Sequence, residues 1–233
     1  MIDHNFYASP VQASQTLITH ILEAMDKELE RPFTIALSGG TTPATLFEVW
    51  EREYATYTPW SRIYFYWVDE RCVPPGDDQS NFGLAYRLLF SKVGIPASHY
   101  YRIVGEGAPE EEAKQYSSIV KTTVPTVDGV PVFDFVLLGI GEDGHTSSIF
   151  PDHQELLTAG EPYEVSVNPY NKTVRICMTG RLDRSPAYLF LVTGENKCSI
   201  LKEILDKNKE GVYPASYIWH HARNPQLYAS LVS

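Results

Sequence analysis

The feature that most constrains this chain is the alternation of short apolar runs with helical patterns. Apolar or aromatic runs of strand length occur at residues 33–37, 63–68, 133–138, 174–178 and 188–192. Helical patterns lie between the first three of these runs, at residues 44–51, 81–90 and 110–120, and another follows the last run at residues 197–205. Because strands that are separated by helices pair in parallel, the pattern predicts an α/β fold with a mostly parallel sheet.

The first helix is predicted from spacing alone. Leu17, Ile21, Met25 and Leu29 recur every four residues, and Ser9-Pro10 is a plausible start. The chain shows no internal repeat, low-complexity tract or linker. A length of 233 residues is enough for one sizeable core, so we expect residues 1–233 to form a single domain.

Polar segments directly follow three of the predicted strands, at residues 38–43, 69–71 and 139–145. In parallel sheets, ligands bind beyond the carboxyl ends of the strands. We therefore expect all three segments to meet at one edge of the sheet and to form one site.

The loop at residues 38–43 leaves a strand and enters a helix. Its glycines let the backbone approach a ligand, and the start of the helix offers unpaired N–H donors. The candidate ligand-binding residues are Ser38, Gly39, Gly40, Thr41 and Thr42. The loop does not match GxxxxGK[ST], so nucleoside triphosphate binding is not indicated. A tight strand-to-helix turn explains the same residues equally well.

Three charged residues end the aromatic strand at residues 63–68. Arg71 has the planar fork that binds phosphate or carboxylate groups. Their position at a strand end favours a functional interpretation for Asp69 and Arg71. For Glu70 we prefer a solvated strand end with local ion pairs.

The segment at residues 139–145 is the richest in chemistry. His145 can take a proton from water near neutral pH, and Asp143 can orient the imidazole or contact the substrate. Gly139, Gly141 and Gly144 match the spacing of a dinucleotide fingerprint. That fingerprint belongs after a first strand, whereas this segment lies in mid-chain and carries two acids, so nicotinamide binding is not predicted.

Two isolated cations, Arg175 and Lys197, are candidates for binding an anion, although each is also explained as a surface charge. Adjacent residues on a helix point apart, so the pair His220-His221 does not predict a metal site. The cysteines are Cys72, Cys177 and Cys198, which are odd in number and widely spaced. They indicate neither a disulfide framework nor a zinc site.

A formal net charge of −10 argues against general nucleic-acid or anionic-membrane binding. The first residues lack the features of a signal peptide, and no apolar segment approaches the roughly 20 residues of a membrane helix. We expect a soluble cytoplasmic protein that is a monomer or a small homo-oligomer.

Taken together, these segments resemble the 6-phosphogluconolactonase family. The resemblance rests on residues 38–43, on Asp69-Glu70-Arg71 followed by Ser80-Asn81, and on residues 139–151. Weaker matches follow at residues 175–179, 194–197 and 214–216. The related glucosamine-6-phosphate deaminases usually have Asp-Glu-Tyr at the second motif and Ile-Ala-Phe-Asn-Glu-Pro after the histidine, and this chain differs at both places. It also departs from the family that it resembles at residues 226–230, where members commonly have an acid.

The resemblance implies a Rossmann-like α/β fold with helices on both faces, no metal and no organic cofactor. It also implies hydrolysis of 6-phosphoglucono-δ-lactone to 6-phosphogluconate, in the oxidative pentose phosphate pathway. We expect His145 to activate water and Asp143 or Asp69 to aim its ring. Arg71, Arg175 and Lys197 should fix the phosphate alone or the phosphate and the forming carboxylate. The alternatives are a deaminase or isomerase of amino-sugar phosphates, or a regulator that binds sugar phosphates without turnover.

Overall fold

The computed structural model describes residues 4–180 and 185–232. The strands are β1 (His4–Phe6), β2 (Phe33–Leu37), β3 (Ile63–Trp67), β4 (Asp69–Arg71), β5 (Thr126–Val127), β6 (Val130–Pro131), β7 (Phe135–Leu138), β8 (Tyr163–Val167), β9 (Val174–Met178), β10 (Tyr188–Thr193) and β11 (Pro225–Ser230). The α-helices are α1 (Pro10–Asp26), α2 (Thr41–Tyr54), α3 (Asn81–Ala85), α4 (Ser91–Val93), α5 (Pro109–Thr123), α6 (Cys198–Leu205) and α7 (Pro214–His221). A π-helical segment, Tyr86–Phe90, joins α3 to α4.

The central sheet has the strand order β1-β11-β10-β7-β2-β3, and every neighbouring pair in it is parallel. β7 lies near the middle, and all its residues are buried. The predicted α/β fold with a mostly parallel sheet is confirmed.

Helices cover both faces of this sheet. Tyr228 of β11 contacts His20 of α1, whereas Phe190 of the neighbouring β10 contacts Trp219 of α7. Phe190 pairs in register with Leu227, the residue before Tyr228. Because consecutive residues of a strand point to opposite faces, α1 and α7 lie on opposite sides of the sheet.

The first helix begins where its sequence predicts and ends earlier. The Ser9 hydroxyl accepts a hydrogen bond from the Gln12 N–H, and Pro10 occupies the first turn. Leu17, Ile21 and Met25 are buried in the core, as their spacing predicts. The helix ends at Asp26, so Leu29 lies outside it and is 69% exposed. The expectation that Leu29 continues the buried face is wrong.

A second, antiparallel sheet has the order β4-β9-β8. Val68 separates β3 from β4, and its carbonyl accepts a hydrogen bond from the Met178 N–H at 2.7 Å. We predicted Asp69–Arg71 as the charged end of the aromatic strand. The chain instead passes directly into a second sheet, in which Asp69–Arg71 is a strand of its own. A run such as residues 174–178 predicts a strand but carries no information about which strand it pairs with.

None of the helices within the described residues is both long enough and apolar enough to cross a membrane.

Candidate active site

A cavity of about 220 Å³ opens at the carboxyl ends of β2, β3, β7 and β10. The three predicted polar segments meet there, as the parallel topology requires. Its walls contain every predicted site residue except Asp143, namely Ser38, Gly39, Gly40, Thr41, Thr42, Asp69, Arg71, His145, Arg175 and Lys197. Asp143 lies behind His145.

The loop after β2 forms one wall. The Ser38 hydroxyl donates to the Leu137 carbonyl at 2.7 Å, which ties the loop to β7. Gly39 packs so closely against Asn81 that an added Cβ would lie 1.8 Å from the Asn81 Oδ1. Helix α2 begins at Thr41 without a side-chain cap, and the first N–H groups of any helix have no partner within it. This wall can therefore offer backbone donors to an anion or a hydroxyl group.

The turn at residues 139–145, which we call the His145 turn, is closed by its own hydrogen bonds. The Gly141 N–H donates to the His145 carbonyl at 2.8 Å, and the Thr146 hydroxyl donates to the Gly139 carbonyl at 2.8 Å. Of its three glycines, Gly144 adopts a left-handed backbone with φ of 81°. Gly141 lies under the imidazole, where an added Cβ would lie 2.1 Å from the His145 Nδ1.

His145 and Asp143 form a hydrogen-bonded pair, with 2.6 Å between Nδ1 and Oδ1. Burial acts to raise the pKa of Asp143, but the hydrogen bonds and charge of His145 outweigh it and hold that pKa below its usual range. Asp143 is therefore a carboxylate near neutral pH and can only accept. The proton of the neutral imidazole must lie on Nδ1, which leaves the Nε2 lone pair for a water molecule.

Asp69 has a different set of partners from the one we considered for it. Its Oδ2 accepts from the Ser148 hydroxyl at 2.6 Å, and its Oδ1 accepts from the Asn81 amide at 3.1 Å. Its Oδ2 also lies 3.6 Å from the Arg175 Nη1. Of the two aspartates proposed to aim the imidazole, Asp143 is the one in contact with it, and Asp69 instead supports the cationic side of the cavity.

Two arginines lie opposite each other at this cationic side, because Arg71 of β4 pairs in register with Arg175 of β9. Like charges directly opposite each other on antiparallel strands destabilise the pair. Burial lowers the pKa of Arg175, although the Asp69 carboxylate acts against that shift. Two cations held together at a cavity wall provide a binding site for an anion.

Lys197 supplies a third cation from the short 3₁₀ turn Glu195–Lys197, which follows β10. Its pKa is lowered by burial, and the nearby Glu142 and Asp143 act in the opposite direction. Lys197 reaches the cavity from the side of the His145 turn, whereas the arginines come from the small sheet.

Glu70 is not the solvated strand end that we predicted. It is 2% exposed and accepts hydrogen bonds from the Asn81 and Phe82 N–H groups and from the Ser80 hydroxyl. Burial raises its pKa, and these hydrogen bonds partly offset the effect. Glu70 lies outside the cavity lining and anchors the segment that carries Asn81.

Within the described residues, no three His, Cys, Asp or Glu side chains are grouped so as to hold a metal ion. His220 contacts the Ile204 carbonyl, and His221 contacts the Tyr217 carbonyl and Glu210.

Several residues at the site were not predicted individually. Asn81 and Ser147 line the cavity, Ser148 bridges Asp69 and Arg175, and Tyr170 bonds to Asp143. Ser147 adopts a left-handed backbone with φ of 54°, and its hydroxyl donates to the Val68 carbonyl at 2.8 Å. The signal for Asn81, Ser147 and Ser148 was present, since all three lie in the motifs that carry the family resemblance. Nothing in the sequence distinguished Tyr170.

The fold and the site together define a class of protein: an α/β enzyme with an Asp–His pair on one side of its cavity and a group of cations on the other. The family described as glucosamine-6-phosphate isomerases/6-phosphogluconolactonase matches residues 8–228. A 6-phosphogluconolactonase of Haemophilus influenzae is 39% identical over 194 residues, which cover 82% of each chain.

Solved structures agree with this match. The crystal structure of devB protein has a TM-score of 0.91 at 34% identity, covering 100% of this chain and 97% of that one. A 6-phosphogluconolactonase from Trypanosoma cruzi has a TM-score of 0.84 at 25% identity, covering 99% and 95%. The chain belongs to the glucosamine-6-phosphate isomerase/6-phosphogluconolactonase family, and the predicted family resemblance is confirmed.

Proposed function

We propose that this chain hydrolyses 6-phospho-D-glucono-1,5-lactone to 6-phospho-D-gluconate. The observation that carries the proposal is the Asp143–His145 pair at one side of a cavity whose other side presents Arg71 and Arg175. A phosphorylated lactone needs both a base for water and a site for a dianion. The relatives named 6-phosphogluconolactonase support the choice of this substrate.

In the proposed reaction, the His145 Nε2 takes a proton from water while the water oxygen attacks the lactone carbonyl carbon. The carbonyl π bond opens to an oxyanion, which backbone N–H groups or a nearby cation stabilise. The oxyanion then reforms the carbonyl bond as the bond from that carbon to the ring oxygen breaks, and His145 returns the proton to the departing oxygen. The carboxylic acid that results loses its proton to water and gives the gluconate. Asp143 holds the ring in the required tautomer throughout and stabilises the transient imidazolium.

The cationic side gives the substrate its orientation. Arg71 and Arg175 lie on the small sheet, so we place the phosphate there, with Lys197 closer to the reacting carbonyl. In this arrangement, Asp69 and Ser148 hold Arg175 in place. The loop containing Ser38, Gly39, Gly40, Thr41 and Thr42 donates N–H groups to ring hydroxyls or to the phosphate.

The direct test is a timed assay, because such lactones also open spontaneously. Fresh 6-phosphogluconolactone is followed with the protein and with buffer alone. We expect the protein to accelerate ring opening in proportion to its concentration. Equal rates with and without protein, together with tight binding of 6-phosphogluconate, would establish a sugar-phosphate-binding regulator instead.

The family name also includes isomerases of glucosamine 6-phosphate, which gives a second candidate. Release of ammonia from that amino sugar would favour it. The motif differences at residues 69–71 and 146–151 favour the lactone.

Removing a cation should weaken substrate binding. We expect Arg71→Gln and Lys197→Gln each to raise KM about 10- to 100-fold, because a hydrogen bond to a charged group contributes about 1.5–3 kcal/mol. The effect on kcat should be smaller where the interaction binds substrate and transition state equally. Steady-state kinetics measures both parameters. The matched control is Arg87→Gln, because Arg87 is 43% exposed and lies 3.9 Å from Asp78. If KM is unchanged in both site variants, the phosphate site is elsewhere.

The lowered pKa of Lys197 predicts a pH effect on product binding. Raising the pH deprotonates the ammonium group, and for Lys197 this occurs below the pH at which an ordinary lysine loses its charge. The dissociation constant of 6-phosphogluconate should therefore increase as the pH approaches about 10. Lys197→Arg should bind equally well across that range, because a guanidinium stays charged beyond about pH 12. Calorimetric titration at several pH values measures the dissociation constant. If this constant changes with pH in the same way for wild type and for Lys197→Arg, the prediction is wrong.

We further propose that the chain acts as a single domain in the cytoplasm. The cavity draws its walls from both the central and the small sheet, and buried residues of both sheets belong to one hydrophobic cluster.

A further inference from the structure

Tyr170 extends the Asp143–His145 pair by one residue. Its hydroxyl donates to the Asp143 Oδ2 at 2.9 Å, while the Asp143 Oδ1 bonds to the His145 Nδ1. Each carboxylate oxygen thus has its own partner, and the three side chains form a continuous hydrogen-bonded chain. A carboxylate held at both oxygens has little freedom to rotate away from the imidazole.

The loop that carries Tyr170 is ordered by hydrogen bonds, although the residue itself is 71% exposed. The Asn168 Oδ1 accepts from the Tyr170 N–H at 2.8 Å and from the Asn171 N–H at 3.2 Å. The Asn168 N–H donates to the Thr173 carbonyl at 2.9 Å. The backbone at Tyr170 is therefore fixed by its own turn, and holding the side chain against Asp143 costs mainly side-chain entropy.

Tyr170 also borders an open hollow of about 280 Å³ that it shares with Asp143, His145 and Lys197. Since His145 and Lys197 also line the main cavity, the Asp143–His145 pair lies between the main cavity and this outer hollow. Tyr170 lies on the solvent side of the pair, at the oxygen of Asp143 that the imidazole does not use.

We propose that Tyr170 is a positioning residue that fixes the Asp143 carboxylate and limits the negative charge it presents to His145. The inference rests on the proposed lactonase function. A hydroxyl that donates to a carboxylate draws charge away from it, so the carboxylate stabilises an imidazolium less. Without this donor, the Asp143 carboxylate would present more of its charge to the imidazole.

The directions in which the pKa values of Tyr170 and Asp143 are shifted agree with this arrangement. The hydrogen bond to Asp143 is the main cause that raises the pKa of Tyr170. For Asp143, burial acts to raise the pKa, and the Tyr170 hydroxyl is among the groups that act with His145 to lower it.

The other charged or titratable groups around the pair remain in place when the hydroxyl is removed. Within the described residues they are Glu142 on the turn, Lys197 after β10, Asp69, Arg71 and Arg175 on the small sheet, Asp152 near Tyr170 and Tyr213 against Gly144. A change of pH profile in Tyr170→Phe can therefore be assigned to the lost hydroxyl, since the ring is retained.

The experiment compares wild-type protein with Tyr170→Phe and with Tyr57→Phe. Tyr57 is the matched control, because it is 76% exposed and does not line the cavity or the outer hollow. In Tyr170→Phe, we expect the acidic limb of kcat/KM to move to higher pH by roughly half a unit. Its plateau kcat should fall less than about tenfold, since Asp143 keeps its bond to His145. Tyr57→Phe should match wild type in both respects.

An NMR titration of the His145 ring, assigned with His145→Gln, measures the same shift without turnover. An unchanged His145 midpoint in Tyr170→Phe would overturn the proposal. So would a change that appears in Tyr170→Leu but not in Tyr170→Phe, because the ring alone would then account for it. Absence of lactone hydrolysis by wild-type protein would contradict the proposed function, while the NMR result would still decide the role of Tyr170.

Discussion

Replacing His145 by alanine should lower kcat by about 10²- to 10⁴-fold, the range that a general acid–base group contributes. The imidazole is the base of the proposed reaction, and its Nδ1 is committed to Asp143. KM should change little, because Arg71 and Arg175, where we place the phosphate, are untouched. Initial rates at several lactone concentrations, corrected for spontaneous opening, separate the two parameters.

His153→Ala is the control for this substitution, since His153 is a nearby histidine paired with Glu155 at the surface. It should retain wild-type kinetics. The melting temperature of His145→Ala should also be measured, because His145 contacts the buried Phe150 ring at a centroid distance of 4.7 Å. A folded His145→Ala protein with undiminished kcat would remove the residue from the mechanism.

Asp143→Asn should lower kcat nearly as much as His145→Ala does. An asparagine amide can donate to the imidazole Nδ1, which places the proton on Nε2 and removes the lone pair that must accept the proton of water. Where a hydrolase relies on an Asp–His pair, this change costs about 10⁴-fold in kcat. We expect a loss of roughly 10²- to 10⁴-fold here, with KM nearly unchanged.

Glu142→Gln provides a control of equal charge change one residue away. Glu142 bonds to Asn196 rather than to His145, so its substitution should lower kcat by less than about threefold. The comparison separates the hydrogen bond to the imidazole from the general loss of a negative charge near Lys197. If Asp143→Asn and Glu142→Gln lower kcat equally, the hydrogen bond between Asp143 and His145 does not account for the loss.

The sequence predicted the parallel sheet and the meeting of the three polar segments because both follow from local patterns. Apolar runs and helical spacing mark the elements, and parallel topology alone brings residues 38–43, 69–71 and 139–145 to one edge. The pairing of Arg71 with Arg175 could not be predicted in this way, because register between distant strands depends on which partners remain available in the folded sheet.

Glu70 and Tyr170 show two other limits. Glu70, a charged residue beside Asp69 and Arg71, resembles a surface charge until its four hydrogen-bond donors are known. Three of them, all buried, come from residues 80–82. Tyr170 lies in a polar loop where one exposed tyrosine is ordinary, and its importance depends on a contact with Asp143, 27 positions away in the sequence.

The position of β11 has a consequence for the order in which the molecule can form. β11 lies between β1 and β10, so β1, near the start of the chain, pairs with a strand more than 200 residues later. During synthesis, β1 cannot pair with β11 until residues 225–230 have left the ribosome. One edge of β10 stays unpaired until then. Contacts of such long sequence separation slow folding. The emerging chain therefore presents an open strand edge, and unpaired edges of this kind promote aggregation.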